Sequence, residues 1–486
     1  MKNGRQYLES LHDERYVYVD GERIEDLSKH PAFRGIIQTL ASLYDYAADP
    51  ANELSYLAPE TGAPANKAFL IPRSVDDLKD RRLALTRLAG RTAGLVGRSP
   101  DHVAGFLAGF ASAPDVFARG GAQFAENVGR FYRKALAEDI FVSYTIVPPQ
   151  VDRSKTAQGQ DEAFLQVGVC TERDDGIVVR GAQMLGTGAA VSNYLFVSCI
   201  VPLKPGDEDY ALSFVLPIGT PGLKLYCRPP YAVGKSSVFD YPLSTRFDES
   251  DALAVFDDVF VPWENVFVYR DVELTRAQFH ETAAHVLGNT QAQIRLSVKM
   301  KFIAGLARKI AATNRTEQIP SVQEKLADLG SLAAIVEGMV LASEASSSLD
   351  RNGVARPNPR FLYAVMGLQA ELYPRAIGLL RELAGGGVLQ VPSSYKELLN
   401  PETAADIKRY VRSTGVPSEE RIKLFRLAWD MIGSEFAGRH QQYEMFYAGA
   451  PYVAKGYAYR NYRYDEVVAM VDEFLAGYDL QTEDKG

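Results

Sequence analysis

Three cysteines (Cys170, Cys199, Cys227), two tryptophans and six histidines are all that the 486-residue chain holds of these types. Thiols so few and so far apart make neither a disulfide scaffold nor a CxxC zinc site; they read as half-buried strand residues, and no metal site is expected. Apolar runs of the ~18 residues that span a bilayer are missing. Met1-Lys2-Asn3-Gly4-Arg5 lacks the apolar stretch of a secretory signal, so a cytoplasmic protein with no membrane partner is expected. A basic excess is missing as well: 53 Lys and Arg stand against 61 Asp and Glu, a formal charge of −8. Nucleic-acid binders need a cationic surface to displace counterions, so no nucleic-acid partner is expected, although a few arginines can still build a local anion pocket.

The common signature motifs are absent too. No GxGxxG follows a strand and no GxSxG elbow occurs. Gly234-Lys235-Ser236 imitates the end of a P-loop, but Pro229 stands where the first glycine belongs. His280-Glu281-Thr282-Ala283-Ala284-His285 spaces its histidines five apart, about 140° around a helix, so it reads as a surface helix and not as HExxH.

What is present is globular in proportion: 47% hydrophobic, 23% charged, 39 Gly and 25 Pro. The length predicts two or three lobes. Residues 33–142 carry helical periodicity. Phe33 to Leu43 repeat apolar positions at three and four, Ser74 stands ready to cap Val75-Asp76-Asp77, and Ser99-Pro100-Asp101 opens another helix. From Tyr144 to Tyr269 short β-like runs alternate with turns, predicting a compact β-barrel or sandwich. Helical periodicity returns near Leu274, with long helices expected over Ile294–Thr313, Ser321–Ser346, Pro359–Ala384 and Ile422–Arg439. Gln481–Gly486 is polar enough to fray. The fold class is therefore α+β, divided as 1–142 helical, 143–270 β and 271–486 helical bundle with tail.

Several clusters could carry chemistry. Arg98 and His102 are four apart around a helix start and could hold a phenolate or carboxylate; Arg98 alone reads as a surface ion-pair arginine. Asp101 suits the helix dipole. Val147-Pro148-Pro149-Gln150-Val151-Asp152-Arg153 is an extended segment fit either to face a ligand or to connect lobes. Gly186-Thr187-Gly188 is either a hairpin turn or a close backbone approach in which Thr187 donates to a flat heterocycle. Arg439-His440-Gln441-Gln442-Tyr443-Glu444 reads as a solvated helix end, an active-site wall or a subunit contact. Arg426 and Asp430, four apart, could pair.

Taken in order, Gly4-Arg5-Gln6-Tyr7-Leu8, His30-Pro31, Tyr44-Asp45, Gly97-Arg98-Ser99-Pro100-Asp101, Pro149-Gln150-Val151-Asp152-Arg153, Phe256 to Glu264, Leu427-Ala428-Trp429-Asp430 and Arg439-His440 with Tyr443-Glu444 resemble the 4-hydroxyphenylacetate 3-monooxygenase family over nearly the whole chain. The resemblance implies an acyl-CoA dehydrogenase-like fold with a helical N-terminal domain, a β-barrel middle domain and a C-terminal helical bundle, assembled as a homotetramer. It implies the oxygenase component of a two-component flavin monooxygenase. Such an enzyme takes FADH2 from a separate NAD(P)H:flavin reductase, reacts it with O2 to a C4a-hydroperoxide, and hydroxylates a small aromatic substrate, free or carrier-tethered, usually ortho to a phenol.

By motif match, Arg98 takes the place of the family arginine beside the substrate. His102 stands where the 4-hydroxyphenylacetate enzymes carry a tyrosine, and Tyr144 where histidine is common, so phenol and imidazole are exchanged across one site. That exchange implies one hydroxyl donor and one titratable ring presented to a different substrate. Gln150, Val151, Asp152 and Arg153, Thr187, and Ala450, Pro451, Tyr452 and Val453 match flavin contacts; Ser198 and Cys199 match substrate contacts. Chlorophenol-hydroxylating relatives use a histidine where Asn289 or Gln291 stands. The rivals are an acyl-CoA dehydrogenase-like flavoenzyme, with Glu444 as a candidate base, and a non-catalytic flavin or partner-binding scaffold. A dehydratase with an iron–sulfur cluster would need cysteines on other elements.

Overall fold

The computed structural model describes residues 1–235 and 237–479; Ser236 and the expected frayed end at Gln481–Gly486 lie outside the described residues. Helices come first: Pro31–Ala48, Val75–Gly90, Asp101–Ala111 and Ala122–Glu138. Ser74 does cap its helix, accepting from the Asp77 amide.

Among the described residues the β region forms two open sheets and no closed barrel. One has six strands in the order Glu22–Arg23, Tyr16–Val19, Leu223–Cys227, Ala252–Pro262, Gly176–Gln183, Gly168–Arg173. The other has four: Val266–Tyr269, Leu212–Pro217, Tyr194–Val197, Val142–Thr145. The expectation of a barrel is corrected by the first sheet's edge. Tyr16–Val19, from the N-terminal region, pairs in parallel with Leu223–Cys227 and extends that sheet instead of letting it close. The Gly186–Gly188 turn is no hairpin either; it carries the chain from the six-stranded sheet through residues 189–191 into the four-stranded one.

Alternation of side chains decides what each face meets. Leu195, Val197, Leu212, Phe214 and Leu216 pack into one cluster with Ile177, Val179, Leu225 and Phe256 of the other sheet. Phe196, Val215 and Phe267, on the opposite face, pack with Phe106, Phe110, Phe131 and Phe279 of the helices. The four-stranded sheet is thus a middle layer buried on both sides, which is why its strands read as continuous apolar runs.

The C-terminal region opens with Val272–His280 and the 30-residue Ala284–Thr313 helix, followed by Pro320–Ala345 and Pro359–Ala384. The single helix expected over Ile422–Arg439 is two, Ser418–Ile432 and Glu435–Phe446. Gly433 breaks it, and Ser434 caps the second part by accepting from the Ala437 amide. The 280–285 segment is likewise no surface helix: the chain breaks at Glu281–Ala283, His285 is buried, and the two imidazoles stand 4.7 Å apart. Arg426 pairs with Asp240 instead of Asp430, whose carboxylate caps the Leu243 and Ser244 amides at 2.8 Å. Pro320–Ala345 does contain an 18-residue window with a mean hydropathy of 1.5, long and apolar enough to cross a membrane. It packs between the Ala284–Thr313 and Pro359–Ala384 helices, tied to them by Glu337–Lys301, Asp328–Arg375 and Lys325–Glu382 ion pairs.

Candidate active site

The site begins with the face rule just described. Tyr144 pairs with Phe196, so its ring shares the helix-facing side of the sheet with Phe196 and, two residues on, Ser198. Across from it, His102, Phe106 and Phe110 recur every fourth residue along one stripe of the Asp101–Ala111 helix. His102 stacks on Tyr144 at 5.4 Å, and Phe106 meets Tyr144 at 5.8 Å and Phe279 at 6.2 Å.

Arg98, just before this helix, lies with its guanidinium 4.8 Å from the Tyr144 ring and 4.0 Å from the Tyr447 ring. Its Nη1 meets His102 Nε2, and its Nη2 donates to the Tyr447 carbonyl at 3.4 Å. Its backbone amide donates to Glu249 at 2.7 Å, but among the described residues its side chain forms no ion pair. Burial works against the charge, yet Tyr144, Tyr447, Tyr443 and Glu249 together hold the guanidinium above its usual pKa. His102 is pushed well below the usual imidazole range by burial and then by Arg98, so it stays neutral at physiological pH. The titratable ring expected at this position is therefore a neutral hydrogen-bonding ring.

Behind Tyr447 lies a buried ionic floor. Glu444 receives Arg295 at 2.7 Å through both oxygens, Lys299 at 2.7 Å and Gln369 at 2.8 Å. Burial opposes its ionisation, but Arg295 and Lys299 prevail and hold its pKa at about 2. A carboxylate so fully engaged is no free base. His440 is buried beside Lys299 at 2.9 Å. Arg439 is buried too, gripping Asp251 at 2.7 and 3.0 Å and Glu249 at 3.2 Å, so this segment is a structural wall and not a solvated helix end. Asp251 also accepts from Arg228 at 2.8 Å and from the Thr187 hydroxyl at 2.6 Å. The Thr187 hydroxyl thus donates to a carboxylate in this structure.

The structure brings Arg98, His102 and Tyr144 together and sets the Gly186–Gly188 turn close by: a Cβ on Gly188 would stand 3.6 Å from the Arg98 carbonyl. Ser198 lies deeper, accepting from Gln278 at 2.9 Å. Cys199 turns to the Val201 carbonyl, with burial raising its thiol to about 12. Asp152 is engaged by Ser154. Gln150, Val151, Asp152 and Arg153, and likewise Ala450, Pro451, Tyr452 and Val453, have no hydrogen bond or ring contact with Arg98 among the described residues. The Met184 backbone amide does donate to the Val147 carbonyl at 2.7 Å, joining the start of the 147–153 segment to the strand before the Gly186–Gly188 turn. Tyr447, Arg295 and Glu249 complete the site without having been marked in the sequence, alongside Gln291, which stands at one of the two positions where chlorophenol-hydroxylating relatives were expected to carry a histidine. The four-residue step from Tyr443 to Tyr447 was the available signal, since it matches the step from Arg98 to His102.

Two signatures cover the chain: residues 3–268 match 4-hydroxyphenylacetate 3-hydroxylase N terminal, and 275–476 match 4-hydroxyphenylacetate 3-hydroxylase C terminal. The chain belongs to this family. The 4-hydroxyphenylacetate 3-monooxygenase oxygenase component of Geobacillus sp. strain PA-9 is 33% identical over 98% of this chain and 97% of its own. The 4-nitrophenol 2-monooxygenase oxygenase component of a Rhodococcus is 34% identical over 92% of this chain and 86% of its own. A crystal structure of a 4-hydroxyphenylacetate 3-monooxygenase oxygenase component with FAD and 4-hydroxyphenylacetate superposes with a TM-score of 0.93 at 33% identity, covering 98% of this chain and 99% of that one. An archaeal 4-hydroxybutyryl-CoA dehydratase shares the fold, with a TM-score of 0.89 at 22% identity over 100% of this chain and 97% of its own. The three cysteines here stand on or beside strands, and among the described residues no cluster of His, Cys, Asp and Glu could hold a metal.

The residues present fit a flavin. Val151, Leu185 and Tyr452 are 57%, 61% and 79% exposed, large apolar surfaces on the segments matched to the cofactor. The helix starting at Pro451 has no side-chain cap on its first turn. Those are the apolar faces and polar termini that an isoalloxazine and its phosphates take.

Proposed function

We propose that the protein is the oxygenase component of a two-component aromatic monooxygenase, using FADH2 from a separate NAD(P)H:flavin reductase and O2 to hydroxylate a phenol ortho to its oxygen. The observation that carries this reading is the Arg98 side chain: half-buried among aromatic rings, beside a neutral imidazole, and without a carboxylate partner among the described residues. A positive charge held this way favours the ionised form of a bound phenol. A phenolate is richer in electrons at its ortho carbons than the phenol, and that is the carbon an electrophilic oxygen attacks.

Reduced FAD supplies the oxygen activation when bound, with Gln150, Val151, Asp152, Arg153, Thr187 and Ala450 to Val453 the residues that would hold it. The rest belongs to this chain. Arg98 binds the phenolate oxygen, Tyr144 and Phe106 face the substrate ring, and Ser198 closes the inner end. Tyr447 shields Arg98 from water, which strengthens the electrostatic hold. Glu444, engaged by two cations, supports Tyr447 from behind, which disfavours an acyl-CoA dehydrogenase chemistry that needs a free carboxylate.

One relative acts on a substrate tethered to a peptidyl-carrier protein, so both free and tethered phenols belong in the assay. The reading includes a cytoplasmic homotetramer, supported by large apolar side chains left uncovered on the Tyr464–Ala476 helix. Reduced FAD, oxygen and a panel of phenols, followed by mass spectrometry, test the activity: a product heavier by one oxygen is expected. Oxygen consumption with no hydroxylated product from any phenol, or reduction of bound FAD by a CoA ester, overturns the assignment.

A further inference from the structure

We propose that Asp101 and Gln291 are positioning residues that hold His102 as its Nδ1–H tautomer, so that the Nε2 lone pair fixes the direction of the Arg98 guanidinium. The proposal rests on the reading of Arg98 as the phenolate anchor, and it adds two residues with no part in that reading.

The chain of hydrogen bonds runs one way. Asp101, in the first turn of its helix, is buried; one oxygen accepts from Ser99 Oγ and the other from Gln291 Nε2 at 3.2 Å. Burial raises the Asp101 pKa and the hydrogen bonds from Ser99 and Gln291 oppose the rise; with both oxygens accepting, the amide nitrogen of Gln291 faces the carboxylate. The amide oxygen then faces His102 Nδ1, at 3.0 Å. A carbonyl oxygen only accepts, so the imidazole proton sits on Nδ1. Nε2 is left with a lone pair, and what it meets is Arg98 Nη1, a group that only donates. In the other tautomer, N–H would point at N–H and the Gln291 oxygen would face a lone pair, leaving two buried mismatches. An imidazolium would set a proton against the guanidinium.

Burial, Arg98 and Arg295 keep the His102 ring neutral against the Gln291 hydrogen bond, which favours the charged form. Arg98 precedes His102; Asp101 lies on its own helix, with Arg81 of Val75–Gly90 behind; Tyr144 faces it from the sheet; Gln291 and Arg295 come from Ala284–Thr313; Tyr447 comes from the end of Glu435–Phe446. Tyr447 Oη lies 3.3 Å from Nδ1 and donates to the Gly97 carbonyl at 3.2 Å, with the Gln291 amide oxygen a second acceptor at 3.4 Å, so its proton has acceptors other than the imidazole. Arg98 is thus held at two points, His102 Nε2 and the Tyr447 carbonyl, and the rest of its fork is free for a ligand.

The test is nitrogen NMR of the full-length enzyme labelled at its histidines, with His102→Gln identifying the signals, together with binding of 4-nitrophenolate read by absorbance. Wild type is expected to show His102 neutral, protonated at Nδ1 only. Gln291→Met and, as a variant that changes less volume, Asp101→Asn are expected to give mixed tautomers and to weaken 4-nitrophenolate binding about tenfold, the size of a misplaced charged hydrogen bond. A proton on Nε2 in wild type, a single unchanged tautomer in both variants, or mixed tautomers with unchanged binding overturns the proposal. A lock that is present in wild type and lost in the variants, with no 4-nitrophenolate binding to any form, supports the lock and overturns the phenolate role of Arg98.

Discussion

Arg98 donates in two directions at once, to an imidazole nitrogen and to a backbone carbonyl. An ammonium keeps the charge but cannot keep this planar fork. Arg98→Lys is therefore expected to cut kcat/KM for hydroxylation by about 100-fold, while the melting temperature stays within a few degrees; steady-state product analysis and a thermal scan check both. Exchange of the stacked pair, His102→Tyr with Tyr144→His, keeps the two ring types but moves the hydroxyl to the helix side. It is expected to reorder the preferred phenols, and an unchanged ranking across the panel would count against these rings as selectors. Arg98, His102 and Tyr144 were legible because a four-residue helical step and a motif mark them. Tyr447 and Arg295 were not, because they reach the pocket from distant elements and local spacing carries no trace of that approach. The acceptor of the Thr187 hydroxyl could not be read either, since it is 64 residues away.

The Asp101–Ala111 helix can bring His102 to the sheet only because it lies very close to the start of the Ala284–Thr313 helix. A Cβ on Gly109 would stand 2.2 Å from the Ala284 backbone nitrogen, and backbone cannot swing aside as a side-chain tip can. Gly109→Ala is expected to push the two helices apart, lowering the melting temperature by several degrees and weakening phenol binding together, measurable by calorimetry and by titration with 4-nitrophenolate. Asp430 makes a different junction: from the bundle it caps the short Ser244–Phe247 helix through two amides. Asp430→Ala would leave both amides buried without acceptors, at about 1–3 kcal/mol each, and a lowered urea midpoint with near-normal specific activity is the expected outcome. Element types were legible from periodicity: Pro359–Ala384 starts and stops where its Asn-Pro and Gly-Gly-Gly punctuation predicts. The sheet topology was not. Parallel pairing of Tyr16–Val19 with Leu223–Cys227 spans some two hundred residues, and a strand's own alternation does not name its neighbour. The break at Gly433 escaped because apolar period continues on both sides of it.

At the scale of the whole molecule the histidines set the response to acid. His102, His285 and His440 are buried, and burial is the first cause of each lowered pKa; it takes His285 to about 3 and the other two well below the usual 6.5. Positive neighbours add to it: Arg98 for His102, His280 and Arg356 for His285, Lys299 and Arg439 for His440. Because the folded pKa values lie below the unfolded one, the unfolded chain binds more protons whenever the pH is under 6.5. The stability held by these neutral rings, and by the half-buried His280 whose pKa burial lowers to about 4, is complete above that value and drains as the pH falls, at up to about 1.4 kcal/mol per pH unit for each ring. Glu444 adds its own loss later, since its pKa falls from 4.5 to about 2 in the fold and its contribution is full above 4.5. Denaturant midpoints should therefore decline from pH about 6.5 downward, the buried Asp139, whose pKa burial raises to about 6, offsetting part of the loss. Of the three rings, His285 lies outside the Arg98 pocket and bonds to Tyr363 at 2.8 Å, so His285→Gln removes one proton site without touching the proposed chemistry. Its midpoint should fall less steeply with acid than that of the wild type, whatever its stability at neutral pH. An equal slope in the variant would mean that the buried rings are not what acid attacks.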